Sequence, residues 1–417
     1  MTVSENAKTG AATPPPRSPH ILTLVIATAS SALAMNVFLP SLPSIARDLS
    51  TDYAVVQLMV SIYLFATAGL QLFIGPASDR LGRRPVLLAC LAIFVVSSLL
   101  AVFAPTIEIL LLLRFFQAFG AGGMVISRAV VRDTVDSNEA ASRIGYITMG
   151  MALVPMVAPA FGGILDEYYG WRASFALTFF YGVVAMLVVY LDLNETNRTP
   201  TKSISAQFRV YPELIASRRF WSYTLTAAFT AGAFFAFLGG GPYVASEMLG
   251  IAPSTYGFYF VLVSIGYMAG NFMTARFSTR VGRNALMITG NIVAAAGGIL
   301  GIILFALGLD HPVSLFLPTG LVSVGNGMSL PTAYAGIVSV RPRLAGSASG
   351  LGGAIQMGGG AVLSILAGAM LSLDSGPYPL FAVMFVSSVL AICATLYGIY
   401  VDRIAGPLDE SGGSRTG

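Results

Sequence analysis

Twelve apolar stretches, each long enough to cross a bilayer as a helix, dominate this sequence of 417 residues. Numbered as spans 1 to 12, they lie near 20–41, 53–75, 85–104, 107–131, 143–166, 172–193, 220–241, 254–275, 285–308, 313–338, 345–371 and 377–400. Backbone N–H and C=O groups in hydrocarbon need partners within their own segment, which an α-helix supplies. The sequence therefore predicts an all-α integral membrane protein with twelve transmembrane helices.

The composition agrees with a membrane protein. Hydrophobic residues make up 55% of the chain and charged residues only 10%, which is too few charges to cover a soluble domain of this length. The two cysteines, Cys90 and Cys393, both fall inside apolar stretches, so neither a disulfide framework nor a metal site is expected. Residues 1–19 are polar and proline-rich, which predicts a disordered tail before an uncleaved first span.

Charges are distributed unevenly between the two sides of the predicted membrane. The connections that follow odd-numbered spans hold only two basic residues, Arg47 and Arg172, and nearly all other Lys and Arg lie on the opposite side. The same connections hold most of the acids: Asp48, Asp52, Glu108, Asp166, Glu167, Glu247, Asp310 and Asp374. Because Lys and Arg accumulate on the cytoplasmic side, we expect both termini to be cytoplasmic in a bacterial inner membrane.

An internal repeat divides the chain into two halves. Shifting the sequence by 200 residues aligns GPASDRLGRR with ARFSTRVGRN, with Thr279 in the place of Asp79. The longest predicted cytoplasmic connection also separates the spans six and six. The predicted organisation is a tail (1–19), a six-helix bundle (20–193), a linker (194–219), a second, pseudo-symmetric six-helix bundle (220–401) and a tail (402–417).

Between spans 2 and 3 lies the motif GPASDRLGRRP, from Gly75 to Pro85, with three arginines, one acid and two glycines. Such charges are costly in hydrocarbon, so the sequence predicts a tight turn at the membrane surface. A topology signal alone would explain the arginines, but it would not explain Asp79 or the glycines. The pattern G-x-x-x-D-R-x-G-R-R resembles, without a mismatch, the loop between helices 2 and 3 of the major facilitator superfamily of transporters.

Other motifs narrow the resemblance to one family. Span 1 ends in LPSLP (39–43), span 4 carries RFFQAFG (114–120), and span 5 carries VPMVAPAFGG (154–163). Together they resemble the bicyclomycin- and chloramphenicol-resistance family of drug:proton antiporters, and the similarity extends over all twelve spans. The resemblance implies two bundles that rock around a binding site near the middle of the bilayer.

The resemblance also assigns a gating role to the motif between spans 2 and 3. In the family, the acid at Asp79 meets the start of helix 11, here Ala345–Gly350, when the cavity opens outward. Asp133, at the end of span 4, is placed to pair with Arg80 or Arg83. The predicted gating latch comprises Gly75, Asp79, Arg80, Gly82, Arg83, Arg84 and Asp133.

Span 4 carries Arg114 well inside the apolar layer, with Gln117 on the same helical face. A charged group in a membrane normally faces a wet cavity, and the family places this arginine beside its coupling site. The alternative is a structural arginine that binds neighbouring carbonyls. Aromatic side chains would suit flat apolar ligands, although many aromatics simply pack against helices or lipid. The predicted cavity residues are Asn36, Arg114, Gln117, Met151, Phe234, Tyr256, Tyr259, Asn326 and Gln356.

Span 5 combines two prolines, Pro155 and Pro159, with the glycine pair Gly162 and Gly163. This pattern resembles the antiporter signature of the superfamily, a bent and closely packed helix that closes the cavity against leakage. Ala158 occupies a position where glycine is usual. Close helix packing through small residues, which is common in membranes, is the alternative explanation.

Span 1 departs from the family pattern. Relatives carry an acid, the expected proton carrier, where this chain has Asn36, and an amide does not titrate. Arg114 therefore lacks an obvious counter-ion, so we expect a net positive cavity that favours neutral or anionic ligands. Coupling, if it is present, would run through a carboxylate at the membrane rim or through the substrate.

The predicted function is export of drugs or other small amphipathic compounds by alternating access, driven by protons. A metabolite facilitator or an uptake symporter of the same fold is the alternative. A membrane enzyme or receptor is disfavoured, because the sequence has no nucleophile–base arrangement, no nucleotide-binding loop and only two histidines, His20 and His311. The expected partners are small amphipathic substrates, protons and the lipid bilayer. We expect no nucleic acid, cofactor or metal to bind, and we expect the protein to be a monomer.

Overall fold

The computed structural model describes residues 18–135, 137–197 and 209–405, and every regular element in these ranges is helical. Twelve helices are long, and they are α1 (Ile21–Asp48), α2 (Tyr53–Leu81), α3 (Arg83–Val102), α4 (Ile107–Thr134), α5 (Ser137–Tyr169), α6 (Arg172–Asp192), α7 (Arg218–Met248), α8 (Pro253–Val281), α9 (Arg283–Ala306), α10 (Pro312–Ser339), α11 (Ala345–Met370) and α12 (Tyr378–Ala405). Eleven of these are long and apolar enough to cross a membrane, and α5 has 33 residues. The predicted all-α membrane architecture is confirmed.

The helices pack mainly within two groups of six. In the first group α5 and α4 pack against α1, and α3 packs against α6; in the second, α10 packs against α8 and α9, and α7 against α11 and α12. The groups meet where α5 contacts α8 and where α2 contacts α11. Residues 1–17, 198–208 and 406–417, which include most of both predicted tails and the middle of the predicted linker, lie outside the described residues. The domain boundaries therefore stay predictions.

Helices α1, α4, α7 and α10 lie at the centre of the molecule. Among the eleven apolar spans, these four bury the largest share of their residues. Three of the four are also irregular along their length. Helix α1 changes to a 3₁₀ turn at Leu39–Ser41, where Pro40 and Pro43 cannot donate backbone hydrogen bonds, α4 has a 3₁₀ turn at Ala118–Gly120, and α7 ends in a π segment at Val244–Met248.

The charged motif between α2 and α3 is helical almost throughout, which corrects the predicted eleven-residue turn. Helix α2 continues through the charged residues to Leu81, and α3 begins at Arg83. Only Gly82 turns the chain, with φ 101° and ψ 150°. The end of the apolar stretch indicates where the chain leaves the hydrocarbon, but it does not indicate where the helix ends. A helix can continue into water, because charged residues are compatible with a helical backbone.

Glu195, just after α6, caps the N-terminus of α3. Its carboxylate accepts hydrogen bonds from the backbone N–H groups of Arg83 (2.9 Å) and Arg84 (3.1 Å). The first N–H groups of a helix have no partner within the helix, and a negative charge there also interacts favourably with the helix dipole. The end of α6 therefore fixes the direction in which α3 leaves the turn.

Replacing Gly82 by alanine should destabilise the protein. A side chain at this φ and ψ is strained, by about 1–3 kcal/mol, and a methyl group would also press against the carboxylate of Glu195. We expect a lower melting temperature of the purified protein in detergent. Gly69→Ala is the matched control, because a methyl group on Gly69 meets no atom within 4 Å. Equal melting temperatures for the two variants would contradict this account of the turn.

Candidate functional site

The two halves are joined at one end of the molecule, here called the outer end after its predicted periplasmic orientation. Arg47 of α1 and Glu247 of α7 form an ion pair at 2.9 Å, although both side chains are partly exposed. The hydroxyl of Tyr53 in α2 donates to the carbonyl of Gly239 in α7 at 2.8 Å. These contacts join the two halves and so close the outer end.

At the inner end, Arg83 is the centre of the predicted latch. It is only 8% exposed, and its guanidinium contacts Asp79, donates to Asp133 at 2.9 Å and donates to the hydroxyl of Ser78 at 2.7 Å. A guanidinium presents several N–H donors in a fixed plane and so can bind two carboxylates at once. The structure thus places Asp133 against Arg83, while Arg80 is exposed.

Asp79 does not reach the start of α11 in this structure. No side chain caps the first turn of α11, and the carboxylate of Asp79 is held by Arg83. The contact with Ala345–Gly350 was expected only when the cavity opens outward, and the outer end is closed here. The expected contact therefore stays a prediction for another state of the protein.

Three other residues at the inner end, Gly75, Arg84 and Asn197, make further contacts around the predicted latch. Gly75 lies on α2 facing Val125 of α4, and Arg84 donates to the carbonyl of Tyr190 at 2.8 Å. Asn197 donates to the backbone carbonyl of Asp79 at 2.7 Å. Sequence reasoning missed Asn197 and Glu195. The only available signal was an acid directly after α6, at the start of a basic linker.

Arg114 is completely buried where α1, α2 and α4 meet. Its guanidinium donates to the carbonyls of Ala34 (3.0 Å) and Met59 (3.3 Å) and to the side-chain oxygen of Gln117 (2.7 Å). The rings of Phe38 and Tyr63 lie 4.1 and 4.5 Å from it, centroid to guanidinium carbon. This geometry is that of the structural alternative, an arginine that binds neighbouring carbonyls.

The arginine nevertheless keeps unused binding capacity. One terminal nitrogen of Arg114 has no hydrogen-bond partner among the described residues, and no carboxylate of those residues forms an ion pair with it. Asn36, 5% exposed on α1, donates to the carbonyl of Ala32 at 2.7 Å and leaves its own buried side-chain oxygen unpaired. The centre of the first half therefore has a positive charge that no described acid balances.

In the second half, the predicted aromatics pack mainly against one another. Tyr256 and Phe260 are buried, and their rings lie near those of Phe237 and Phe316, with centroids 5.3 to 6.4 Å apart. Tyr259 stacks on Phe316 at 5.4 Å. These contacts fit the packing alternative for Tyr256 and Tyr259.

The other predicted cavity residues are scattered. Phe234 and Met151 are half-buried. The side-chain oxygen of Gln356 on α11 accepts a hydrogen bond from the hydroxyl of Tyr334 on α10. Asn326 is 2% exposed and its side-chain oxygen has no partner among the described residues. Within the described part of the chain, all hydrogen bonds of Arg114 are with residues of the first half. The structure therefore does not bring the predicted cavity residues of the first half together with those of the second half.

Helix α5 makes backbone contact with both halves. A methyl group built on Gly162 would overlap the carbonyl oxygen of Val37 in α1, and one on Gly163 would overlap that of Pro253 in α8. A methyl group built on Gly257 of α8 would likewise overlap the carbonyl oxygen of Pro159. Pro155, one turn earlier, is half-buried. These glycines allow α5 to fill the space between the first and second halves near the outer end.

The whole-chain comparison with known families agrees with this architecture. The model of the Major Facilitator Superfamily matches residues 24–247 and 241–414. The chain belongs to the Major Facilitator Superfamily. As a member it is a multi-pass transmembrane transporter. Among the described residues, no group of three or more His, Cys, Asp or Glu side chains is placed to hold a metal ion.

Relatives within the superfamily match nearly the whole chain. The MFS-type transporter YdgK of Bacillus subtilis is 31% identical over 89% of this chain and 93% of its own length. Multidrug resistance protein D of Escherichia coli is 29% identical over 83% and 87%, and the bicyclomycin resistance protein homologue of Haemophilus influenzae is 28% identical over 89% and 94%. The predicted resemblance is confirmed.

Solved structures share the fold. A bacterial homologue of the human lysosomal transporter Spinster, in an inward-facing conformation, has a TM-score of 0.70, 17% identity and coverage of 92% of this chain and 96% of its own. A D-xylose–proton symporter has a TM-score of 0.70, 13% identity and coverage of 91% and 96%. These identities are low, so the likeness establishes the fold alone.

Removing the charge of Asp79 tests the latch. Asp79→Asn should leave folding and membrane insertion largely intact and abolish most transport, because Arg83 loses one of its two carboxylates. Transport is measured as substrate efflux, normalised to the amount of protein in the membrane. Thr279→Asn, at the equivalent place in the second half, is the control and should have far less effect. Normal efflux from well-expressed Asp79→Asn would refute the latch.

Adding bulk to α5 tests the contact with α1. Gly162→Leu should cost about 1–3 kcal/mol by overpacking against the backbone of Val37 and should abolish transport with retained expression. Gly69→Leu, where the structure has open space, should transport normally. Full efflux by Gly162→Leu at wild-type expression would show that the close approach of α5 is not needed for transport.

Proposed function

We propose that this protein exports small amphipathic compounds from a bacterial cell by alternating access, and that protons drive the export. The observation that carries the proposal is the contact of α5 with α1 and α8 through Gly162 and Gly163. This contact lies at the antiporter signature that the sequence predicts, and it packs α5 directly against both halves near the outer end. Relatives of nearly full length named for multidrug and bicyclomycin resistance supply the substrate class.

The charges at the centre restrict the substrates. Arg114 is buried with one unused nitrogen, and the position of the family's acid is held by the amide of Asn36. Burying an unpaired cation beside a cationic ligand would be costly, since both charges lose their hydration. Neutral or anionic amphipathic compounds are therefore the preferred cargo. The half-buried Phe234 and Met151 offer apolar and adaptable surface for such ligands.

The orientation and state of the protein belong to the same proposal. Both termini lie in the cytoplasm, the membrane is the bacterial inner membrane, and the transporter acts as a monomer without cofactor or enzymatic activity. The closed outer end corresponds to the stage at which substrate enters from the cytoplasm. A conformational change that breaks the Arg47–Glu247 ion pair would then expose the centre to the other side.

A metabolite facilitator or uptake symporter remains the second candidate. The fold does not separate the two functions, because the solved structures of similar fold include a xylose–proton symporter. The direction of net transport does separate them. An exporter lowers the amount of compound inside the cell, and an importer raises it.

Efflux from a pump-deficient bacterial strain tests the proposal. Cells that express the protein should accumulate less of a neutral amphipathic drug than cells with the empty vector, and a protonophore should abolish the difference. Higher accumulation would favour the uptake symporter. A difference that survives the protonophore would contradict proton drive.

The same assay tests the charge argument with matched cationic and neutral drugs. Asn36→Asp adds a carboxylate two residues from Ala34, whose carbonyl Arg114 binds, and should improve efflux of the cation. Asn36→Leu, which removes the amide without adding charge, is the control and should not. Strong cation efflux by the unmutated protein, unchanged in Asn36→Asp, would overturn the preference for neutral or anionic compounds.

A further inference from the structure

Asp166, near the outer end of α5, is buried. The charge pattern of the sequence assigned it to an outer connection, but in the structure it is only 7% exposed. One carboxylate oxygen accepts a hydrogen bond of 2.6 Å from the hydroxyl of Ser44 in α1. The other oxygen is buried and has no hydrogen bond of normal geometry among the described residues, although the hydroxyl of Ser41 on α1 lies close to the carboxylate.

The charged groups around Asp166 do not neutralise it directly. Arg47, one turn beyond Ser44 on α1, is 61% exposed in its side chain and forms its ion pair with Glu247 of α7. Glu167, the next residue of α5, adds a second negative charge nearby. Asp48 at the end of α1 is bound to Arg172 at the start of α6. Asp166 forms no ion pair with a described cation.

The carboxylate lies beside the surface at which the two halves separate. Gly163, one turn earlier on α5, touches Pro253 at the start of α8. Ser44, which donates to Asp166, lines a small cavity between the halves with room for about one water molecule. The hydroxyl of Tyr256, on the opposite wall of this cavity, is buried without a partner in the described part of the chain. Opening the outer end would therefore hydrate this region.

A carboxylate that is buried with few hydrogen-bond donors favours its neutral form, and hydration favours the charged form. We propose that Asp166 is a proton-binding site of the outer gate, which takes up a proton from the outer solution and is neutral when the gate is closed. The proton is transferred from hydronium to a carboxylate oxygen, an O–H bond forms, and water is released. This inference names the proton carrier of the proposed export and so rests on that function.

The sign of the effect follows from the two states. The closed gate buries Asp166 and has the higher proton affinity, so a fall in pH favours closing and a rise in pH favours opening. Each unit of difference in pKa between the two states changes the closed-to-open ratio by about tenfold. This direction suits a proton-driven exporter, since proton binding outside would close the outer end and return the centre to the cytoplasmic side.

The opening of the gate can be measured without any substrate. Spin labels on Pro105→Cys and Leu309→Cys, both exposed on outer loops of different halves, report the distance across the outer end by double electron–electron resonance. In the labelled variant, the native Cys90 and Cys393 are also replaced by alanine, so that only the two introduced cysteines react with the label. Between about pH 8 and about pH 5, the population with the short distance should increase about tenfold or more.

Variants identify the group that titrates. Asp166→Asn should hold the gate in the short-distance state at both pH values, because the amide is always neutral. Asp166→Glu, which keeps a carboxyl group, should retain the response, and so should Asp48→Asn, which removes an exposed acid at the same end. An unmutated protein without a pH response would overturn the proposal, and so would a response that persists in Asp166→Asn or is lost in Asp166→Glu or Asp48→Asn.

The result is separable from the proposed export. The distance measurement contains no drug, so a pH response that depends on Asp166 establishes the proton site even when the cells show no drug efflux. Conversely, proton-driven efflux that remains at the wild-type level in Asp166→Asn would leave the export intact and remove Asp166 as its proton carrier.

Discussion

The buried guanidinium of Arg114 is the interaction on which the centre of the first half depends. Helix α1 is broken by prolines, and the carbonyl of Ala34 lies in the last turn of its first segment, where helical carbonyls lack partners. Arg114 supplies a donor to that carbonyl and another to the carbonyl of Met59 in α2. In a membrane no water can replace these bonds, so one side chain holds three helices in register.

Most of the architecture was predictable because the bilayer imposes a simple rule on sequence. A helix must be apolar over about 20 residues to cross the hydrocarbon, so counting apolar stretches predicted all twelve helices. Their ends were less accurate. Helix α2 runs to Leu81 and α7 to Met248, several residues beyond the apolar stretches, because a helix that leaves the hydrocarbon keeps its hydrogen bonds in water.

The candidate site was predictable only where a motif is local. Arg83, Asp79 and Asp133 could be grouped from the sequence because the first two lie one turn apart and the third ends a neighbouring span. The roles of Arg114 and Asp166 depend on which helices pack around them, and spacing along one chain segment does not contain that information. Asp166 follows a glycine pair that brings α5 against α1 and α8, and this contact buries a carboxylate that charge counting places outside.

The structure places its buried positive charge, Arg114, and its buried carboxylate, Asp166, in different parts of the molecule. A drug and a proton can be exchanged by competition for one acid, but Asn36 removes that acid from the centre, and Arg114 makes the same region positive. The buried carboxylate of Asp166 lies instead beside the interface of the two halves. Under the proposed function, coupling in such an arrangement would act through the gate. A proton would change the stability of the closed outer end, whereas the substrate would bind elsewhere and bias the same two-state movement, as linkage between distinct sites requires.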